Sequence, residues 1–266
     1  SGAQAQKPVA FESSIQIRNL SANAGQITLA FYNLDGFLVG TSDQPIGADE
    51  TLSFLRSTMP IGPGFDGSVI VASNVPVAGM SNLHGLMDAT NVMTYGAFAA
   101  FDSGATTVYL PTLMKNNYGY DTFFYAQNLG QTDANITVNY SDGVTKTATG
   151  VKPGASAKFD QTLENHAGKV FAATVTATQN IAVTVAQNGP TLLTYNSFAE
   201  GSILPVMPLV QENHYGYFTG IQIQNVGTQI SEVSVTYTPS LHGTPCTEVQ
   251  NIPAGESRTF GQPAFY

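Results

Sequence analysis

The sequence has one cysteine, no tryptophan, and only 9 basic side chains against 18 acidic ones in 266 residues. A single cysteine, Cys246, excludes an internal disulfide, so stability has to come from packed apolar cores. With a net charge of -9 and no cluster of Lys or Arg, the chain offers a nucleic-acid backbone nothing to bind. Charged residues make up 10% of the chain, far below the usual quarter. No run approaches the roughly 18 consecutive apolar residues of a spanning helix, so no membrane span is expected. The P-loop and H-E-x-x-H are both missing, which removes P-loop nucleotide binding and zinc chemistry by those routes. Hydrophobic residues at 42% still suffice for real cores and exclude wholesale disorder.

What the chain does have is self-similarity. Ser14-Ile15-Gln16-Ile17-Arg18-Asn19-Leu20, Phe123-Phe124-Tyr125-Ala126-Gln127-Asn128-Leu129 and Gly220-Ile221-Gln222-Ile223-Gln224-Asn225-Val226 share one pattern. Their anchors Asn19, Asn128 and Asn225 lie 109 and then 97 residues apart. Each anchor is followed by a two-residue alternation: Ile27, Leu29, Phe31; Ile136, Val138, Tyr140; Val233, Val235, Tyr237. Period two means half-buried strands, with Leu29, Val138 and Val235 inward and Thr28, Thr137 and Thr236 outward. Asp35-Gly36 and Asp142-Gly143 then give hairpin turns, with His242-Gly243 in the third place. A Gly-containing turn next leads to Phe54, Phe159 and Phe260. In the second half, Ser68-Val69-Ile70-Val71 matches Ala173-Thr174-Val175-Thr176, and Val75-Pro76-Val77-Ala78 matches Asn180-Ile181-Ala182-Val183.

Junctions repeat as well. Thr94-Tyr95-Gly96-Ala97-Phe98 matches Thr194-Tyr195-Asn196-Ser197-Phe198, and Tyr118-Gly119-Tyr120 matches Tyr215-Gly216-Tyr217. Short strands separated by Gly, Pro, Asn and Asp turns define an all-β chain of tandem immunoglobulin-like antiparallel β-sandwiches, two complete and one partial. The boundaries fall at 1–100, with an N-terminal arm at 1–11, then 101–200 and 201–266. Only 83–91 reads as a short helix. The layout resembles repeats in large secreted proteins of bacterial cell surfaces, with their Tyr-rich junctions, Gln-Asn-apolar strand ends and Pro-Gly turns. That resemblance implies a surface-layer, sheath or pilus-like role and carries no catalytic residue with it. Ser1 to Gln6 are small and uncharged, with Ala3-Gln4-Ala5 in the A-x-A form of a signal-peptidase site; an ordinary terminus would look the same.

Catalysis needs paired groups with matched roles, and His84, His166, His214 and His242 have no such company in sequence. All four read as solvated loop histidines, and no enzyme activity or cofactor is expected. Asp43, Asp49 and Glu50 form the densest acidic cluster, but in no D-x-D-x-D spacing, so they read as a solvated turn. The aromatics Tyr95, Phe98, Tyr118, Tyr120, Tyr195, Phe198, Tyr215 and Tyr217 are assigned to packing between successive units, and stacking of the Tyr-Gly-Tyr tyrosines on sugar rings is the competing reading. Asn19 and Asn135 fit the N-x-S/T acceptor pattern, with Asn19 the more hospitable, so glycans are candidate partners. Lys152, Lys158 and Lys169 crowd the second block without any motif for an isopeptide bond.

The expected function is structural: a self-assembling extracellular protomer. From residue 170 onward Arg258 is the only basic residue, against Glu200, Glu212, Glu232, Glu248 and Glu256. Faces of Thr, Asn, Gln and Ser are desolvated against a neighbour at less cost than faces of Lys and Glu. The subunit contact is assigned to the arm residues Lys7, Pro8, Val9, Ala10 and Phe11, donated as a strand to the third block of the next copy beside Phe260 and Phe265. A monomeric adhesin or carbohydrate-binding module is the alternative.

Overall fold

The structure, a computed structural model, describes residues 7–87, 93–212, 214–239 and 244–261. Among these residues every regular element is a strand except the 3-10 turn Gln161–Leu163, and the strand pairings run antiparallel. The result is an all-β, sandwich-like chain of several sheets around three hydrophobic clusters.

The first segment holds β1 (Pro8–Asn19), β2 (Gly25–Asn33), β3 (Leu38–Ile46), β4 (Thr51–Phe54), β5 (Gly67–Ser73), β6 (Val77–Met87) and β7 (Met93–Ala99). One sheet runs β4-β1-β6-β7 and the other β3-β2-β5. Ile15 and Ile17 from the first meet Ile27, Leu29 and Phe31 from the second, alternate residues aimed at one face, as strand geometry requires. Each such side chain contributes roughly 1.5–3 kcal/mol by burial. The arm assigned to a neighbouring subunit is not separate. Pro8 pairs with Met87, Ala10 with Leu86 and Phe11 with Gly85, so β1 is one strand from its first turn. The expected helix at 83–91 is likewise corrected: Leu83 to Met87 belong to β6, where Gly85 and Met87 are buried, and 88–91 lie outside the described residues.

The second segment holds β8 (Ala105–Met114), β9 (Asp121–Asn128), β10 (Ala134–Tyr140), β11 (Thr145–Val151), β12 (Ser156–Asp160), β13 (Val170–Asn188) and β14 (Leu192–Asn196). Here two expected strands are one. The 19-residue β13 pairs through its first half with β10 and β8, and through its second half with β9 and β14. One seven-stranded sheet therefore wraps the core of Val108, Leu110, Phe124, Ile136, Val138 and Val183. The reason is local. Leu20 N–H donates to Pro76 O at 2.9 Å, and Leu129 N–H to Asn180 O at 2.9 Å, so Pro76 and Asn180 are equivalent, one residue out from the sequence match. Proline's fixed φ and missing N–H separate β5 from β6, whereas Asn180 lets the strand run on.

The third segment holds β15 (Ile221–Gln224), β16 (Ser231–Tyr237), β17 (Cys246–Ile252) and β18 (Ser257–Phe260), paired β15-β18 and β16-β17. Ile221, Ile252 and Phe260 form its small buried cluster. Val233, Val235 and Tyr237 are only half-buried, whereas their counterparts Ile27, Leu29, Ile136 and Val138 are fully buried. Val235 thus departs from expectation, because its inward face has no covering strand among the described residues. Thr28 and Thr137 are half-buried and Thr236 is exposed.

The three anchor asparagines explain the periodicity. Asn19 Nδ2 donates to Asn23 O at 2.8 Å and Gly47 O at 2.9 Å, while its Oδ1 accepts from Ser21 N–H at 2.8 Å. Asn128 makes the same three bonds, to Thr132 O, Val151 O and Gly130 N–H. Asn225 repeats them to Gln229 O, Ile252 O and Gly227 N–H. All three are buried. A buried amide with its donors and acceptor used ties the end of one strand to two loops, and leaving those loop groups unpaired would be costly.

Candidate functional site

The most developed constellation is the joint between the first and second segments. β7 and β14 lie side by side, and β14 donates into β7: Thr194 Oγ1 to Ala97 O at 2.6 Å and Asn196 Nδ2 to Ala99 O at 2.9 Å. Gly96 permits this approach, since a Cβ there would meet the Thr194 methyl at 2.7 Å. Ser68 Oγ donates to Gly154 O at 2.6 Å. Asp66 accepts from the Tyr125 phenol at 2.6 Å and from Lys158 Nζ at 3.3 Å, and Lys158 also stands over the rings of Phe123 and Tyr125. Burial first, then the Asp66 hydrogen bond, pushes the Tyr125 phenol well above its ordinary value. At the start of β1, Lys7 is ion-paired with Asp121, and Phe11 meets Phe123 edge-on at 5.4 Å. The subunit-contact residues Lys7 and Phe11 are thus partnered inside the chain, while Val9 is exposed, Phe260 is core, and Phe265 lies outside the described residues.

The junction aromatics divide. Tyr195 packs against the second core and donates its OH to Thr112 O at 2.7 Å. Burial holds its phenol above the ordinary value. Tyr120 is half-buried, its OH 2.7 Å from Thr191 Oγ1. Phe98 is half-buried in β7, and Phe198 is exposed while its backbone pairs with Tyr109. Tyr95 is 62% exposed, Tyr217 67%, Tyr118 92% and Tyr215 89%. These four do not pack between segments, and the reason at Tyr118 and Tyr215 is the tight turn. Each takes positive φ, 47° and 51°, followed by a positive-φ glycine, so the ring is carried out at the tip of a two-residue turn.

Asn19 is corrected as a glycan acceptor, since its amide is buried and bonded three times; Asn135 is exposed. His166 is also corrected. Its side chain is inaccessible to solvent, with Nδ1 2.9 Å from Asp142 Oδ2, Nε2 2.9 Å from Gln161 Oε1, and the ring stacked on Phe171. His214 is exposed as expected, His84 is half-buried edge-on to Tyr95, and His242 lies outside the described residues. Glu50 is engaged by Gly47 N–H in its own turn, and among the described residues no group of three His, Cys, Asp or Glu side chains is placed to hold a metal. An open depression of about 600 Å³ lies on the first segment beside Glu12, Arg56 and His84, where Arg56 already engages Glu12.

Sequence reasoning missed Asp66, Tyr125, Lys158, Thr194 and Asn196. Their partners lie at least 59 residues away in the chain, and what pointed to the joint was the recurrence of Thr94 to Phe98 at Thr194 to Phe198. Compared with family models and with curated proteins, the chain matches none.

Proposed function

We propose that the chain is a structural protomer of an extracellular filament, sheath or surface layer, made of tandem immunoglobulin-like β-sandwiches, two complete and one partial. The observation that carries this reading is the joint. Two neighbouring segments are held by hydrogen bonds, two ion pairs and aromatic contacts spread across β1, β5, β7, β9, β12 and β14, so their relative position is fixed at many points rather than hinged at a linker. A stiff array with few charges suits a building block whose faces meet copies of itself. The resemblance to bacterial cell-surface repeats supports the extracellular location. Strand addition takes a narrower form than the sequence implied: Pro8 to Phe11 are committed to β6, so a donated strand would have to come from elsewhere. The edges of β15 and β16 without partners among the described residues are where one would dock.

Sedimentation velocity and negative-stain imaging of the 266-residue chain over a range of concentrations test the reading. Regular polymers or sheets growing with concentration are expected; a monodisperse monomer throughout would overturn it.

A further inference from the structure

The two most exposed tyrosines occupy the same place in two hairpins built alike. Met114 N–H donates to Thr122 Oγ1 at 2.9 Å, and Gln211 N–H to Thr219 Oγ1 at 2.9 Å. Nearer the tip, Asn117 and Tyr120 exchange both backbone hydrogen bonds, as do His214 and Tyr217. At the tip stand Tyr118-Gly119 and Tyr215-Gly216, with all four residues at positive φ. Glycine suits its position, but a left-handed tyrosine is disfavoured, and asparagine is the residue that such turns favour there. The chain places asparagine beside the tip, at Asn116 and Asn117, and tyrosine on it. Twice, then, a local preference is overridden and a phenol ring ends in solvent.

The exposure of Tyr118 does not come from a missing strand. It belongs to the second segment, whose core is fully wrapped. Nor is the tip a protein-docking patch of the usual kind, in which a central aromatic is ringed by other side chains that exclude water. Its neighbours Asn116 and Asn117 are polar, and the Asn116 side-chain amide is exposed, with no protein partner among the described residues. An exposed ring face with an amide two residues away in the chain complements an all-equatorial pyranose. The axial C–H groups of such a sugar sit on the electron-rich ring face, and its hydroxyls reach the amide. The tight turn fixes the backbone that carries each ring, and tyrosine loses little rotamer freedom when it makes a contact. The charge of -9 disfavours acidic polymers, and the tip from Asn116 to Tyr120 carries no charged side chain to hold a basic one, which suits a neutral polymer.

We propose that Tyr118 and Tyr215 are contact points for a neutral β-linked polysaccharide. The site is independent of polymerisation: it holds for a monomer as for a fibre. The test uses the full chain with two probes, cellohexaose and N,N′,N″,N‴,N⁗,N⁗′-hexaacetylchitohexaose, followed by saturation-transfer NMR and tyrosine fluorescence. Contact with at least one probe is expected, with Tyr118→Ala or Tyr215→Ala weakening it roughly two- to tenfold each and the double variant abolishing it. Tyr118→Phe keeps binding. Tyr118→Asn relieves the backbone, so it melts no lower than the parent and yet loses binding, which separates recognition from folding. No transfer from either probe overturns the proposal, as does a Tyr118→Asn variant that binds like the parent. A tip variant that loses self-association instead, with no sugar binding in the parent, assigns the tips to contacts between copies and overturns it equally.

Discussion

At the scale of single residues, the anchor asparagines do the most. Asn128→Ala removes two donors and one acceptor from a buried site and leaves Thr132 O, Val151 O and Gly130 N–H unpaired. A loss of about 1–3 kcal/mol is expected, read from denaturant unfolding; an unchanged midpoint would contradict the role given to the anchor. Burial of Asn19 has a chemical consequence too. Peptide mass mapping of protein made in a glycosylating host is expected to find any glycan on Asn135 and none on Asn19. Buried tyrosines set the alkaline limit. Burial pushes the Tyr140 and Tyr195 phenols above their ordinary value, whereas in the unfolded chain they ionise near pH 10. Their contribution is therefore complete below about pH 10 and lost as pH rises above it, because only the unfolded state then releases those protons. Melting temperature is expected to hold level from neutral to about pH 9 and fall beyond pH 10, less steeply in Tyr195→Phe; equal slopes would contradict this.

At the scale of elements, equivalent strands differ by what covers them. Val138 in β10 is fully buried and Val235 in β16 is half-buried. Val138→Ala should cost about 1–3 kcal/mol and Val235→Ala less than about 1 kcal/mol, each followed by calorimetry. Equal losses would contradict the difference in cover. Most strands were legible in the sequence, because period-two patterns and Asn, Gly and Pro punctuation report directly on pleat and turn. What was not legible depended on partners distant in sequence. Leu83 to Met87 could form a helix by themselves and become a strand because β1 and β7 flank them. The arm at Pro8 to Phe11 looked unattached because its pairing partner lies more than 70 residues on. The continuity of β13 turned on a single position, Asn180 against Pro76. The candidate site was less legible still: Tyr118 and Tyr215 were visible as a recurrence, but exposure and packing give the same sequence signal.

At the scale of the whole molecule, the account rests on the joint between the first two segments. Asp66 is its densest node, holding Tyr125 and Lys158 at once. Asp66→Ala removes both contacts and leaves β7 against β14 intact, so it is expected to loosen the joint without unfolding either core. Residual dipolar couplings of amides in β1–β6 and in β9–β13 measure this most directly. A single alignment tensor fitting both sets is predicted for the parent chain, with a poorer common fit in Asp66→Ala, where the remaining contacts across the joint still hold. Two independent tensors in the parent would show segments that move freely, and would contradict the reading of this chain as a rigid structural block.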